Sequence, residues 1–326
     1  MLQESIKTRV VGIDIGYEMT TFAIVDVRGN EIARSSFSTD AYPNINSFIS
    51  ALSNQVVELI EANGGYESIR SVGISAPSGN YLTGCIENSP NLPWKGEVPL
   101  AAMMRDRLGI AVAVGNDAHV RALGELAFGN AHGMKDFILV LISRGVGSCV
   151  FSHGHAHLGN TGFAGEFGHI CVEDGGRKCG CGREGCLETY CSSKGIVLTA
   201  KELMEESKVP SLMRGEQHLS PRVIKEYCDQ GDELAIEVYR RTGERLGVIL
   251  ANYASVVDPE AIIVTGGVAK AGKWLMEPLD RAFESHVFHN INNKVKILTS
   301  SLGAKEHSVL GASALAWSVK EYSLFK

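Results

Sequence analysis

The sequence predicts an α/β fold built twice over, with a mainly parallel sheet in each half. Two observations lead there. Strand-sized apolar runs alternate with amphipathic helical stretches, and the order of elements that begins near residue 10 begins again near residue 137. A chain of 326 residues is also too long for one small core, so two domains are the default.

Residues 10–15 form a β-branched run that contains Asp14 and leads into Gly16. A second run, 21–27, closes in the turn Asp26-Val27-Arg28-Gly29-Asn30, which is hairpin chemistry, and 31–37 supplies a third strand. Over 45–62 the apolar positions Phe48, Ile49, Leu52, Val56, Leu59 and Ile60 recur at helical spacing until Asn63-Gly64-Gly65 stops them. Short buried strands follow at 69–74 and 111–114, the latter running into a helix over 118–128. The second round has a strand at 137–142, a turn at Gly145 and Gly147, and a hairpin partner at 149–152. Helices at 232–257, 271–286 and 305–320 then alternate with strands at 261–264 and 295–298. No Pro-rich or Ser-rich linker marks a boundary. Repeat logic alone divides the chain into 1–117 and 118–304, with the last helix, over about 305–326, packing back on the first domain. A central cleft between the halves is the expected binding site.

A net charge of −6 and a pI of about 6.0 leave no global basic field for nucleic acid or an anionic membrane. The longest apolar runs are strand-sized, far short of the roughly 20 residues of a membrane span. Residues 1–9 mix Gln3, Glu4, Lys7 and Arg9 and enter a strand, unlike a signal peptide, so a cytoplasmic location is expected. Eight unevenly spread cysteines then read as reduced thiols.

Three of those thiols, Cys179, Cys181 and Cys186, share a Gly-rich loop, and His169 lies within the same eighteen residues. One imidazole and three thiols are a tetrahedral zinc set. Four protein ligands leave no position for a water nucleophile, so the zinc reads as structural. The competing reading is unrelated buried thiols and a surface histidine. Cys171, Cys191, His155 and His157 are rival ligands nearby, while Cys85, Cys149 and Cys228 read as core filler.

The run 164–188 resembles the zinc-binding segment of the ROK family, which comprises sugar kinases and sugar-responsive repressors. The resemblance extends to Gly12-Ile13-Asp14-Ile15-Gly16, Ser89-Pro90-Asn91-Leu92-Pro93-Trp94, Gly115-Asn116-Asp117, Gly165-Glu166-Phe167-Gly168-His169, Thr265-Gly266-Gly267 and Leu310-Gly311-Ala312. It implies duplicated actin-like, ribonuclease-H-like domains that close on a hexose or amino-hexose, usually as a homodimer. It also implies zinc on His169, Cys179, Cys181 and Cys186. Because only nine residues precede the first strand, the helix-turn-helix of the family's repressors is not expected, nor is DNA binding.

Phosphoryl transfer to a sugar hydroxyl needs a base, donors that fix the sugar, and backbone N–H or cationic groups at the phosphates. Asp117 follows a buried strand where a helix begins. It is either the catalytic base, as the family's pattern implies, or a helix cap. Asn91, Asn116, Asp117, Glu166, His169 and Glu188 match the sugar-binding positions. His169 would place one nitrogen on zinc and the other on the sugar, and the loop at Pro77 to Asn80 would add backbone contacts. Trp94 reads either as a stacking platform for the sugar or as a hydrophobic lid residue. Asp14 near Mg²⁺, with Gly16, Gly145, Gly147, Gly266 and Gly267, would hold ATP. Arg121 reads as a surface charge more than a cleft residue.

Both phosphate loops depart from the kinase pattern. Tyr17 and Glu18 follow Gly16 where the kinases have Gly and Thr, and Ser143-Arg144-Gly145-Val146-Gly147 replaces Gly-Thr-Gly-x-Gly. A carboxylate about 4 Å from a phosphate costs about 4 kcal/mol at an effective dielectric of about 20, roughly three decades of affinity. An ion pair between Glu18 and Arg144 would cancel the charge and plug the site. In the other arrangement Arg144 clamps a phosphate. The leading expectation is therefore an ATP-dependent hexose kinase, and the alternative a sugar-binding sensor of kinase ancestry with weakened ATP use.

Overall fold

The computed structural model of the protein describes residues 7–319. The chain divides into two compact units. The first holds residues up to 132, the loop 159–163 and the residues from 301 on; the second holds 133–158 and 164–300.

In the first unit, strands β1 (Arg9–Ile15), β2 (Met19–Asp26) and β3 (Glu31–Ser38) form an antiparallel meander. Helix α1 (Ile45–Ala62) follows, with Asn44 accepting from the N–H groups of Asn46 and Ser47 as its cap. Strand β4 (Ile69–Ser75) pairs parallel to β1. A small hairpin sheet of β5 (Gly79–Asn80), β6 (Cys85–Glu87) and β7 (Glu97–Val98) leads to helix α2 (Leu100–Leu108). Strand β8 (Ala111–Gly115), parallel to β4, completes the order β3-β2-β1-β4-β8, and helix α3 (Asp117–Phe128) follows it.

The period of two along β1 divides the packing between the faces of this sheet. Val11, Ile13 and Ile15 join Phe48, Leu52 and Val56 of α1 and Met104 of α2 on one face. Val10 turns to the other, where it meets Val309 of the C-terminal helix, Ala304–Ser318. Gly12 and Gly73 are neighbours in the β1–β4 ladder, directly beneath that helix. A Cβ at Gly73 would lie 2.0 Å from the Ala312 carbonyl oxygen, and one at Gly12 would lie 2.4 Å from that of Val309. Backbone touches backbone here. Gly73→Ala is therefore expected to cost about 3 kcal/mol or more, read as a lower urea midpoint at unchanged slope.

The sequence places the domain division at 117/118; the structure keeps α3 with the first unit, up to residue 132. The reason is packing, since Val120 of α3 shares a buried cluster with Ala312 and Leu315 of the C-terminal helix. That helix does pack on the first unit, against β1, β4 and α3. Its expected continuation over 320–326 lies outside the described residues.

The second unit repeats the plan. Strands β9 (Phe137–Ile142), β10 (Val146–Ser152) and β11 (His155–Ala156) form a meander. Helices α4 (Glu188–Cys191), α5 (Ser193–Glu206), α6 (Pro221–Asp229) and α7 (Glu233–Val257) come next. Strand β12 (Ala261–Thr265), helix α8 (Lys273–His286) and strand β13 (Lys296–Thr299) end the unit. The order β11-β10-β9-β12-β13 has the same pattern of antiparallel and parallel pairs as the first sheet, which is the duplication read from the sequence. The edge strand β11 has shrunk to two residues. Among the described residues no helix is long and apolar enough to cross a membrane.

Candidate active site and metal centre

In the first unit the candidate residues gather at the carboxyl ends of the parallel strands, where open α/β sheets bind ligands. The β1–β4 and β4–β8 registers set Asp14 beside Ser75 and Ser75 beside Gly115. Gly115 leads straight into Asn116 and Asp117. Asn116 is the N-cap of α3, its Oδ1 accepting from the Ala118 N–H at 2.8 Å. The capping role thus belongs to Asn116, and Asp117 is the first helical residue, although its own Oδ1 also accepts from Ala118 N–H at 2.9 Å.

Burial pushes the Asp117 carboxyl above the ordinary carboxylate range, and repulsion from Asp14 adds to this; Arg121 and the Ala118 N–H pull the other way. Arg121 is not a surface charge. Its Nε is buried, and it sits one helical turn from Asp117 on the same face. The structure thus brings Asp14, Asp117 and Arg121 within electrostatic reach of one another.

His119 departs to the opposite side of α3, is 8% exposed, and packs edge-to-face with Tyr81 at 5.5 Å. Burial pushes its pKa down to about 4. Below pH 6.5 the unfolded chain gains a proton that the folded chain refuses until about pH 4. Stability from this group is therefore complete above pH 6.5 and falls as the pH drops, by up to about 3 kcal/mol. Urea titrations at pH 7 and pH 5 should show this loss in the parent and a smaller one in His119→Gln.

Asn91 is exposed in the loop between β6 and β7, and the anchors of that loop are on either side of it. Leu92 and Trp94 are buried, and the Lys95 ammonium donates to the carbonyls of Ser89 and Leu92. Trp94 packs on Phe48 at 4.4 Å, and its indole N–H donates to the Tyr42 carbonyl at 3.1 Å. Trp94 is accordingly a core residue, only 4% exposed, rather than a platform for a sugar. In the turn between β1 and β2, Gly16 N–H donates to Met19 carbonyl at 2.9 Å, which leaves Tyr17 and Glu18 exposed at the tip of a tight turn.

In the second unit Gly145 ends the turn between β9 and β10, and Gly147 lies in β10. The Glu188 carboxylate lies against this turn. Its Oε2 accepts from Val146 N–H at 2.9 Å and lies 2.4 Å from where a Cβ of Gly145 would be. Arg144 is exposed beside it. The Glu166–His169 turn is seated on β10 by Phe167, whose ring stacks on Tyr253 of α7 at 3.5 Å, and by Gly168, which meets the Val146 carbonyl. Gly266 follows β12 at φ +102°, with a Cβ position only 2.2 Å from the Ile142 carbonyl oxygen, whereas Gly267 faces open space.

The metal-ligating atoms of His169, Cys179, Cys181 and Cys186 all lie within 4.8 Å of one another. His169 Nδ1 is 3.7 Å from Cys179 Sγ, and Cys181 Sγ is 3.7 Å from Cys186 Sγ. A tetrahedral ion with Zn–S bonds of about 2.3 Å requires sulfur–sulfur edges of about 3.8 Å. The set therefore fits a zinc-sized ion, with Nδ1 toward it and Nε2 left for another partner. The backbone folds back as the glycines require: Cys179 N–H donates to the Arg183 carbonyl at 2.8 Å, and Gly182 N–H to that of Cys179 at 3.1 Å. Of the rivals, Cys191 is fully buried with its Sγ on the Thr242 carbonyl, and His155, His157 and Cys171 are exposed outside the set. Cys149 and Cys228 are buried as core filler, while Cys85 is only half-buried.

The sequence did not disclose what holds this segment in place. Arg177 donates to the carbonyls of Thr189 at 2.7 Å and Gly195 at 3.2 Å, to Thr199 Oγ1 at 2.9 Å, and to Glu202. Its guanidinium and that of Arg245 lie 4.5 and 4.0 Å from the ring centroid of Tyr190.

Two mixed sheets of matching order, with a Cys₃His centre inserted after the second meander, define an actin-like fold of the kind found in sugar kinases and sugar-responsive regulators. A profile described as ROK family matches residues 10–319, and the chain belongs to that family. It is 30% identical to a glucokinase of Streptomyces coelicolor over 94% of this chain and 96% of the relative. A xylose repressor of Bacillus subtilis is 26% identical, over 94% of this chain and 76% of the repressor. The crystal structure of a ROK family glucokinase from Streptomyces griseus in complex with glucose and AMPPNP superposes with a TM-score of 0.79. It is 30% identical, and the match covers 95% of this chain and all of that one.

Proposed function

We propose that this chain is an ATP-dependent hexose kinase in which Asp117 accepts the proton of the attacking sugar hydroxyl. The observation that carries the reading is Asp117 itself, a half-buried carboxylate at a helix start, raised by its surroundings and flanked by Arg121 and Asp14. A base whose affinity for protons is raised is better suited to taking one from a hydroxyl. We assign Asn91, Asn116, Asp117, Glu166, His169 and Glu188 to the hexose or amino-hexose. Gly16, Gly145, Gly147, Gly266 and Gly267 are assigned to the nucleotide, and Asp14 to its Mg²⁺. Zinc on His169, Cys179, Cys181 and Cys186 would fix the His169 tautomer so that Nε2 serves the sugar. The glucokinase relatives support this reading. It carries with it a cytoplasmic homodimer, which sedimentation and cell fractionation would check.

A coupled assay with glucose, mannose, N-acetylglucosamine and N-acetylmannosamine, run beside Asp117→Ala, tests it. Turnover on one of these sugars, lost in the variant, is the expected result. Absence of turnover on all four with sugar binding retained would leave the second reading, a sugar sensor. Tyr17, Glu18 and Arg144 in the phosphate loops, and the repressor relative, favour that alternative. Tight Mg-ATP binding by the parent, with no gain in Glu18→Thr or Arg144→Thr, would remove it.

A further inference from the structure

Cys171 stands outside the four-ligand set, yet the backbone sets it directly opposite one of the ligands. Residues 171 and 186 are paired opposite each other in an isolated antiparallel bridge. The hydrogen bonds run from Val172 N–H to the Gly185 carbonyl at 2.8 Å and from Leu187 N–H to the Ile170 carbonyl at 2.9 Å. They flank the pair and do not join it, so this is the non-hydrogen-bonded type, with Cα atoms about 4.5 Å apart and side chains on one face. That separation lies within the range of about 4.4 to 6.8 Å spanned by disulfides. The Cys171 sulfur already leans across the partner strand, 3.2 Å from where a Cβ of Gly185 would stand. Cys171 is exposed, whereas Cys186 is fully buried.

We infer that Cys171 is an oxidation site for hydrogen peroxide, and that its disulfide with the ligand Cys186 expels the metal ion. The Cys171 thiolate attacks one peroxide oxygen; the O–O bond breaks, hydroxide leaves, and a sulfenic acid remains. The Cys186 sulfur then gives up the metal and attacks the sulfenic sulfur. The S–O bond breaks, a second hydroxide leaves, and the S–S bond forms. The two thiolates have lost two electrons to the peroxide, and the set, reduced to His169, Cys179 and Cys181, would no longer hold a zinc ion. Reduction by a dithiol followed by added zinc reverses the sequence.

This inference rests on the four residues forming a zinc centre, so zinc is measured first. Parent and Cys171→Ser should each hold one zinc per chain. Under hydrogen peroxide, with a chromogenic chelator as the readout, the parent should release its zinc about tenfold faster than the variant. Non-reducing peptide mass spectrometry should find a Cys171–Cys186 disulfide in the parent, and dithiothreitol with zinc should restore the metal. Equal release rates, Cys171 ending as sulfinic acid with zinc retained, or a disulfide between other cysteines would overturn the proposal. Less zinc in untreated Cys171→Ser would make Cys171 a ligand and overturn it as well. A parent that holds no zinc at all would overturn the metal centre itself, and this inference with it.

Discussion

Asp117→Asn should lose at least about a hundredfold, and up to about ten-thousandfold, in kcat, the range that a positioned general base contributes. Sugar affinity should stay within a few-fold, because the amide keeps the size and hydrogen-bonding reach of the carboxylate. Stability should move the other way. A group whose folded pKa is raised favours the folded state only at low pH, and that advantage disappears as the pH rises through the folded value. At pH 7 the parent therefore holds a partly desolvated charge at a cost, and the neutral amide relieves it. Asp117→Asn is expected to melt no lower than the parent, which separates loss of catalysis from loss of fold. The parent's kcat should also fall on the acid side at a pH above the ordinary carboxylate value of 3.8, since protonated Asp117 cannot accept the hydroxyl proton. Steady-state kinetics across pH, calorimetric sugar titration and thermal melts check the three parts.

Stripping the metal, or Cys186→Ser, should be the most damaging change in the second unit. Structural zinc contributes about 10–16 kcal/mol of binding energy in isolated zinc-binding peptides. Here the ion would join His169 to Cys179, Cys181 and Cys186 across a segment held otherwise by short turns and two isolated bridges. Without it the His169 ring loses its anchor, and Glu188, which starts helix α4 two residues after Cys186, loses the brace that holds it on Val146. Sugar affinity should fall by about a hundredfold or more, and the melting temperature should drop, with both recovering on zinc addition in the stripped parent but not in the variant. Chelation that leaves both unchanged would show that the four residues hold themselves together without an ion.

Much of this architecture could be read from residue order. The strand 137–142 and the helix 45–62 have the bounds the pattern predicts, because continuous apolar burial and a clean 3.6-residue period leave little choice. Helices α2, α5 and α6 went unread. In α5 the buried face is carried by Gly195, Ile196, Thr199, Ala200 and Leu203, and small residues packed close give no hydrophobic period. Helix α2 is short, and only Leu100, Met104 and Leu108 of its nine residues are buried, too few to set a period beside the charged run Arg105-Asp106-Arg107. At the site, the Cys and His spacing identified the metal set because thiols that close together on a glycine loop have few other uses. Arg121 was within reach of the same reasoning, lying four residues after Asp117 on one helix. Ser75 was not, since only the pairing of β4 with its two neighbours places it beside Asp14 and Gly115.

The C-terminal helix, seated on Gly12 and Gly73, also sets a timetable for the nascent chain. The first unit is translated first but lacks its central prop until the helix Ala304–Ser318 has left the ribosome. The second unit, contiguous from 133 to 300 except for one short loop, has every element in hand earlier. The half that emerges first is thus the half completed last, and a chain cut off after residue 300 would spoil the first unit rather than the second.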